Sequence, residues 1–156
     1  MLTLKTCKSM KDGIKLIEPN PNKAKSYLNM AEISSKELKN VESWIWKASI
    51  SYYSMYYSLY ALMIRLGIRC EIHYCSLIVM RECLRDFYSE EDIKMISTAF
   101  NARIDNQYYT DRPVNKEAIE RAQKYAPEFL IKTKDIISQL LEKDVKGIRE
   151  KLQKWK

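Results

Sequence analysis

From Ala48 to Ile64 the chain reads ASISYYSMYYSLYALMI, 17 residues without a single charge. Ile45, Ala48, Tyr52, Met55, Leu59, Leu62 and Leu66 step by three and four, which is the period of one helix face. Ser49, Tyr53, Tyr56, Tyr60 and Met63 form a second stripe beside the first. A helix that is apolar or aromatic most of the way round has to be enclosed by neighbours, so a helix over about 42–66 is expected at the centre of the fold. Its length reaches the lower limit for crossing a bilayer. Four serines and five tyrosines within those 17 positions argue against that, because lipid offers their hydroxyls no partners. No membrane association is expected.

The remaining sequence reads as further helices. Only three glycines and four prolines punctuate the 156 residues, which leaves little room for a turn-rich all-β layout. A first helix is expected over about 3–17 (Leu4, Cys7, Met10, Ile14 and Ile17), ended by Glu18-Pro19-Asn20-Pro21. A second opens after Asn20 or Asn22 as cap and runs to about Asn40, burying Ala24, Tyr27, Ala31 and Leu38. Gly67 ends the central helix, and a fourth is expected from about Cys75 to Tyr88. Ser89-Glu90-Glu91-Asp92 resembles a capping box opening a fifth helix (Ile93, Ile96, Phe100, Ile104), which fails near Thr110 before Pro113. Asn115 caps a last helix over about 116–153, kinked or broken by Pro127. Short connections between long helices favour antiparallel neighbours. The expected fold is all-α: one domain over residues 1–156, an up-and-down antiparallel bundle of four core helices with one or two additional helices.

The formal net charge of +7 belongs to the ends. Residues 1–40 hold eight basic against four acidic side chains and 141–156 hold six against three, whereas 41–140 balance at thirteen each. Thirteen of the fourteen cations at the ends are lysines, while seven of the thirteen in the middle are arginines. Planar, forked guanidinium suits fixed carboxylate or phosphate partners, so specific anion recognition is expected in the middle. Cys7, Cys70, Cys75 and Cys83 sit at irregular spacings with no secretory signal before them, which favours reduced thiols in a cytoplasm. Cys70-x2-His73-x-Cys75 does not have zinc-knuckle spacing, and neither a metal nor a cofactor is expected.

The richest polar cluster is Arg103-Ile104-Asp105-Asn106-Gln107-Tyr108-Tyr109 with Asp111-Arg112 behind it. Helical phase puts Arg103, Asn106 and Gln107 on one face and lets Asp105 meet Tyr108 and Tyr109 on another. Asp105, Asn106, Gln107, Tyr109 and Arg112 are candidate binding residues. His73, the only histidine, is a secondary candidate base whose loop position suits capping or packing. The tyrosines of the central helix offer faces on which bases stack, though their spacing suits core or dimer packing.

Trp46-x-Ala48-x3-Tyr52-Tyr53-x-Met55-Tyr56-Tyr57, then Leu62, Gly67 and His73, then Arg103-x-Asp105-x2-Tyr108, and a helix with Ala118, Ala122 and Phe129 together resemble the HEPN (higher eukaryote and prokaryote nucleotide-binding) domain family over roughly 24–141. The resemblance implies a helical bundle that forms a homodimer and binds a nucleotide or RNA. It also implies a minimal nucleotidyltransferase as partner, in a toxin–antitoxin or stress-response module. Many members are metal-independent ribonucleases whose motif is an arginine followed a few residues later by a histidine, two copies facing one another across a dimer cleft. Arg103 matches that arginine, and Tyr108 occupies the place of the histidine. Tyrosine, with an ordinary pKa of about 10, is a poor base at neutral pH, so the resemblance implies binding ahead of cleavage. Tyr108 or Tyr109 also resembles the tyrosine that partner nucleotidyltransferases modify. Five residues separate Arg103 from Tyr108, about 140° around a straight helix, so a joint site requires a bend or a second protomer.

Overall fold

Three caps set where the long helices begin, and a computed structural model of the chain, which describes residues 2–155, shows each of them at work. Asn20 Oδ1 accepts the Lys23 N–H and opens α2 (Pro21–Glu37), with Pro21 in the first turn where its missing N–H costs nothing. Ser89 and Asp92 exchange bonds as a capping box and open α5 (Glu90–Tyr108). Asn115 Oδ1 accepts the Ala118 N–H and opens α6 (Lys116–Gln139). The charge-free stretch forms α3 (Trp44–Arg65).

These four helices are the bundle. The antiparallel sense of α2 and α3 shows in Ser54 reaching the Ala31 carbonyl while Tyr27 packs on Tyr57 and Tyr60. Gln107 bonds Ser49 while Phe100 packs on Tyr52, which makes α5 antiparallel to α3. On α6, Gln123 reaches the Leu38 carbonyl and Lys134 pairs with Glu32, so α6 returns antiparallel to α2. Both stripes of α3 are consumed by this packing: Tyr52, Met55, Leu59, Leu62 and Leu66 are buried, as are Ser49, Tyr56, Tyr60 and Met63. Each large side chain enclosed in this way contributes about 1.5–3 kcal/mol. Ile45, which lies exposed, and Tyr53, which is half-buried, are the exceptions. From Ala48 onward α3 reaches the surface only through Ile50, Tyr53, Tyr57 and Arg65. Trp46, Ile50, Tyr53 and Tyr57 are spaced by four, three and four, so they form one open stripe. No helix among the described residues is long and apolar enough to cross a membrane.

Three smaller helices flank the bundle, α1 (Leu4–Ser9), α4 (His73–Cys83) and α7 (Glu142–Lys154). They differ from the expected boundaries for local reasons. The helix expected over 3–17 stops at Ser9 because the chain folds back on itself at Gly13, where an added Cβ would overlap the Cys7 carbonyl oxygen. The returning residues form β1 (Lys15–Leu16), antiparallel to β2 (Ile68–Arg69). Gly67 provides the positive φ of 73° that turns the chain from α3 into β2. The fourth helix runs from His73 to Cys83, ending before Tyr88, whose ring is buried against Phe129 and whose hydroxyl meets Thr133. Pro127 lies inside an unbroken α6, and the division of the last helix falls instead at Leu140, where ψ is 122°. Asp144 then accepts the Leu141 N–H and restarts the helix as α7.

The cysteines correct the expectation of four reduced thiols. Cys7 and Cys75 form a disulfide between α1 and α4, with Cα atoms 5.6 Å apart, while Cys70 and Cys83 remain free and buried. Irregular spacing along a chain says nothing about which pairs the fold brings within bonding range. The disulfide also removes the thiol-based reason for assigning a cytoplasmic compartment.

Asp92 ties α5 to α6. It is 1% exposed and accepts from the Ser89 backbone and hydroxyl, from Tyr125 Oη at 2.7 Å and from Lys132 Nζ at 2.6 Å. Burial alone would raise its pKa, but the bonds from Lys132, Tyr125 and Ser89 outweigh burial and hold it below the usual carboxylate value. The resulting stabilisation is present above the ordinary carboxylate range and is lost as pH falls through the lowered pKa. Asp92→Asn is expected to lower the free energy of unfolding by about 2–4 kcal/mol, measured by urea denaturation at neutral pH.

Candidate functional site

Arg103 projects from α5 onto the aromatic shoulder of α3. Its guanidinium carbon lies 5.0 Å from the centroid of Tyr53 and 5.5 Å from that of Tyr52. Such cation–π contacts contribute about 0.5–2 kcal/mol. Among the described residues no carboxylate stands within ion-pair distance of Arg103, and its Nε is buried without a hydrogen-bond acceptor. A buried donor left unpaired costs about 1–3 kcal/mol.

His73, the first residue of α4, packs against the same shoulder. Its ring stacks on Tyr56 at a centroid separation of 4.0 Å and an interplanar angle of 9°, and it lies 5.7 Å from Tyr52 and 6.1 Å from Tyr53. Nδ1 is 2.7 Å from Tyr52 Oη. Arg103 and His73 are thus gathered around one pair of rings although thirty positions separate them. Burial, reinforced by the Arg103 charge, pushes the His73 pKa down to about 4. Burial likewise raises the pKa of Tyr52, so its phenol keeps its proton. A protonated phenol whose hydroxyl faces a neutral imidazole is best used donating to Nδ1, which assigns the imidazole proton to Nε2. In that state His73 offers a hydrogen-bond donor to the site instead of a free base.

The other sequence candidates separate by helical phase. Gln107 lies inward and donates to Ser49 Oγ at 3.0 Å. Asn106 is buried and donates back to the Ala102 carbonyl within its own helix. Asp105 faces the other way and pairs with Arg112 at 2.7 Å, and the Arg112 guanidinium lies 3.7 Å from the Tyr109 ring centroid. Tyr108 is 67% exposed and stands apart from the Arg103 cluster. Within one chain, therefore, Arg103 meets His73 and not Tyr108. Tyr52, Tyr53 and Tyr56 are the walls, tyrosines that the sequence offered for base stacking but suited better to core or dimer packing; the adjacent pair Tyr52-Tyr53, with one ring in each stripe, is the signal that marks the edge of the core. Cys75 is held in the disulfide, which takes it out of the Cys70–His73–Cys75 trio. A groove of about 570 Å³, lined in part by Asp86, Phe87, Glu128, Ile131 and Asp135, includes none of these residues.

As the only histidine, His73 gives one imidazole signal, so its titration is directly readable by proton NMR. Its midpoint is expected near 4, and Arg103→Gln should move it upward by removing a neighbouring positive charge. Because the folded value lies below the ordinary 6.5, the unfolded chain binds the proton first. Stability should accordingly fall as pH drops from about 6.5 toward 4.

The model of the HEPN domain matches residues 21–136, from the first residue of α2 into the last turn of α6, and so includes Arg103, His73 and the tyrosines around them. The segment of α1 and β1 and the whole of α7 lie outside it. No curated protein and no solved structure matches the chain. The match spans well over half of the sequence, and the chain belongs to the HEPN domain family.

Proposed function

We propose that this chain binds RNA or a nucleotide through phosphate at Arg103, in a cleft shared by two copies of the domain, as part of a toxin–antitoxin or stress-response module. Membership of the HEPN family supports a nucleotide- or RNA-related function, a family in which many members are ribonuclease toxins. The observation that carries the reading is Arg103 itself: a guanidinium braced by two tyrosine faces, with no carboxylate partner among the described residues and a buried Nε lacking an acceptor. Arg112 makes the contrast, since Asp105 already occupies it. Gln107 and Asn106 lie near Arg103 on the helix, bonded to Ser49 and to the Ala102 carbonyl, while Tyr108 and Tyr109 lie exposed beyond them.

Pairing of two copies is supported by the open stripe Trp46, Ile50, Tyr53 and Tyr57, which runs along α3 up to the Arg103 cluster. A second copy set against it would bring an exposed Tyr108 toward the partner's site, the arrangement that 140° of helical phase denies to a single chain. A minimal nucleotidyltransferase is the expected protein partner, with Tyr108 and Tyr109 as exposed candidate acceptors for modification.

A second reading, cleavage of RNA by Arg103 and His73 without metal, draws on their placement around the same rings. It ranks lower because an imidazole with its pKa pushed down to about 4, and with Nδ1 engaged by Tyr52, is a weak acceptor for a 2′-hydroxyl proton. Purified protein incubated with mixed RNA and a chelator should leave the RNA intact and retain it in a salt-dependent manner. Arg103→Ala should weaken retention about 10- to 100-fold, the loss of one to two charge-assisted bonds. Cleavage abolished by Arg103→Ala would establish the nuclease instead. Retention that survives the substitution would move binding to the lysine-rich ends, and no retention by either protein would favour a purely structural adaptor.

A further inference from the structure

The two ends of the chain that lie outside the matched family stretch converge on the connection that delivers His73. Lys8 donates to the carbonyls of Leu152 and Trp155 at 2.8 and 2.6 Å, joining α1 to α7. Arg149 of α7 donates through one nitrogen to the carbonyls of Ile17, Gly67 and Leu66 at 2.7, 3.0 and 3.2 Å. β1 pairs with β2, and the Glu71 N–H donates to the Asp12 carbonyl at 2.9 Å. The Cys7–Cys75 bond closes the arrangement, and Cys75 stands two residues beyond His73 in the first turn of α4.

That first turn is held by its packing, with His73 on Tyr56 and Tyr52 and with Cys75 and Ser76 buried, and not by a cap. Ile72 occupies the N-cap position and supplies no side-chain cap, so the turn depends on its contacts with what lies beneath. On the other side of the bond, α1 has six residues, of which only Leu4 and Cys7 are buried. A helix that short does not persist in water without an anchor. The disulfide is the covalent tie between the N-terminal segment and the turn that carries His73.

We propose that Cys7–Cys75 is a thiol–disulfide switch on the Arg103–His73 site: the closed bond clamps the first turn of α4 and seats His73 on the Tyr56 ring and at the Tyr52 hydroxyl, and opening it loosens that turn. The step is a two-electron reduction by a dithiol, which forms its own disulfide while Cys7 and Cys75 each gain a hydrogen. Exchange with a disulfide reverses it. Both sulfurs are buried, so the reductant gains access when the short α1 lifts, an opening that terminal segments undergo without global unfolding. That His73 belongs to a binding site rests on the reading given above; that the bond controls its seating does not.

The test uses the full-length wild-type chain, oxidised and after treatment with dithiothreitol, with thiols counted by alkylation of denatured protein and mass spectrometry. Cys70 and Cys83 should label in the oxidised form and all four cysteines in the reduced form. Reduction should shift the single imidazole resonance and raise amide exchange across residues 70–77 by about tenfold or more, leaving α2 and the centre of α3 protected. Cys7→Ser should reproduce the reduced state. Four free thiols after treatment with an oxidant, an unchanged imidazole signal, or loss of protection throughout the chain would each overturn the switch. Retention of RNA is measured on both forms in parallel and should weaken severalfold on reduction. If neither form retains RNA, the functional reading fails, whereas the NMR and exchange measurements still decide the switch; equal retention by both, with His73 displaced, would deny the switch any hold on the site.

Discussion

A guanidinium without a counter-anion among the described residues organises this molecule's candidate chemistry. Arg103 stands at the rim of the core with its Nε buried and unsatisfied, supported by the faces of Tyr52 and Tyr53. Proteins rarely leave such a donor unpaired unless something else completes it. The same positive charge, acting with burial, holds His73 neutral through the physiological range. A neutral imidazole that donates from Nε2 beside an uncompensated guanidinium is arranged to receive negative charge, and less suited to removing a proton.

The scaffold explains why that arrangement holds. α3 carries more apolar and aromatic surface than one neighbour can cover, so α2, α5 and α6 enclose it and leave one open stripe. Arg103 and His73 reach α3 where this enclosure stops, from α5 and α4 respectively. The Asp92 clasp secures the start of α5 to α6, and Gln107 bound to Ser49 secures its other end to α3. Arg103 sits between those two anchors. His73 has no comparable anchor in its own helix and relies on ring stacking, on Tyr52 and on the neighbouring disulfide.

Features written in local pattern were legible before the structure. Ser89 and Asn115 cap helices at the places their side chains indicated, Asn20 is the one of the two candidates Asn20 and Asn22 that caps α2, and the two stripes of α3 are buried except at Ile45 and Tyr53. The opposed faces of α5 also follow from helical phase: Arg103 and Gln107 turn inward, while Asp105 and Tyr109 meet Arg112 outside. Contacts made by chain reversal were not legible. Gly13 folds the first segment back into a strand, Cys7 finds Cys75 across 68 positions, and His73 arrives beside Arg103 from another helix. Pro127 read as a kink or a break because it lacks a donor, and α6 continues through it as one helix while the chain breaks at Leu140.

The most direct test is the Arg103 Nε–H itself, observed by nitrogen-15 NMR during titration with a nucleoside monophosphate, with Arg103→Lys to assign the signal. This resonance should move downfield and exchange more slowly with water as phosphate engages the guanidinium, while the Arg112 signal stays in place. An Arg103 signal that does not respond, at concentrations where amides of the lysine-rich ends do, would contradict phosphate binding at Arg103.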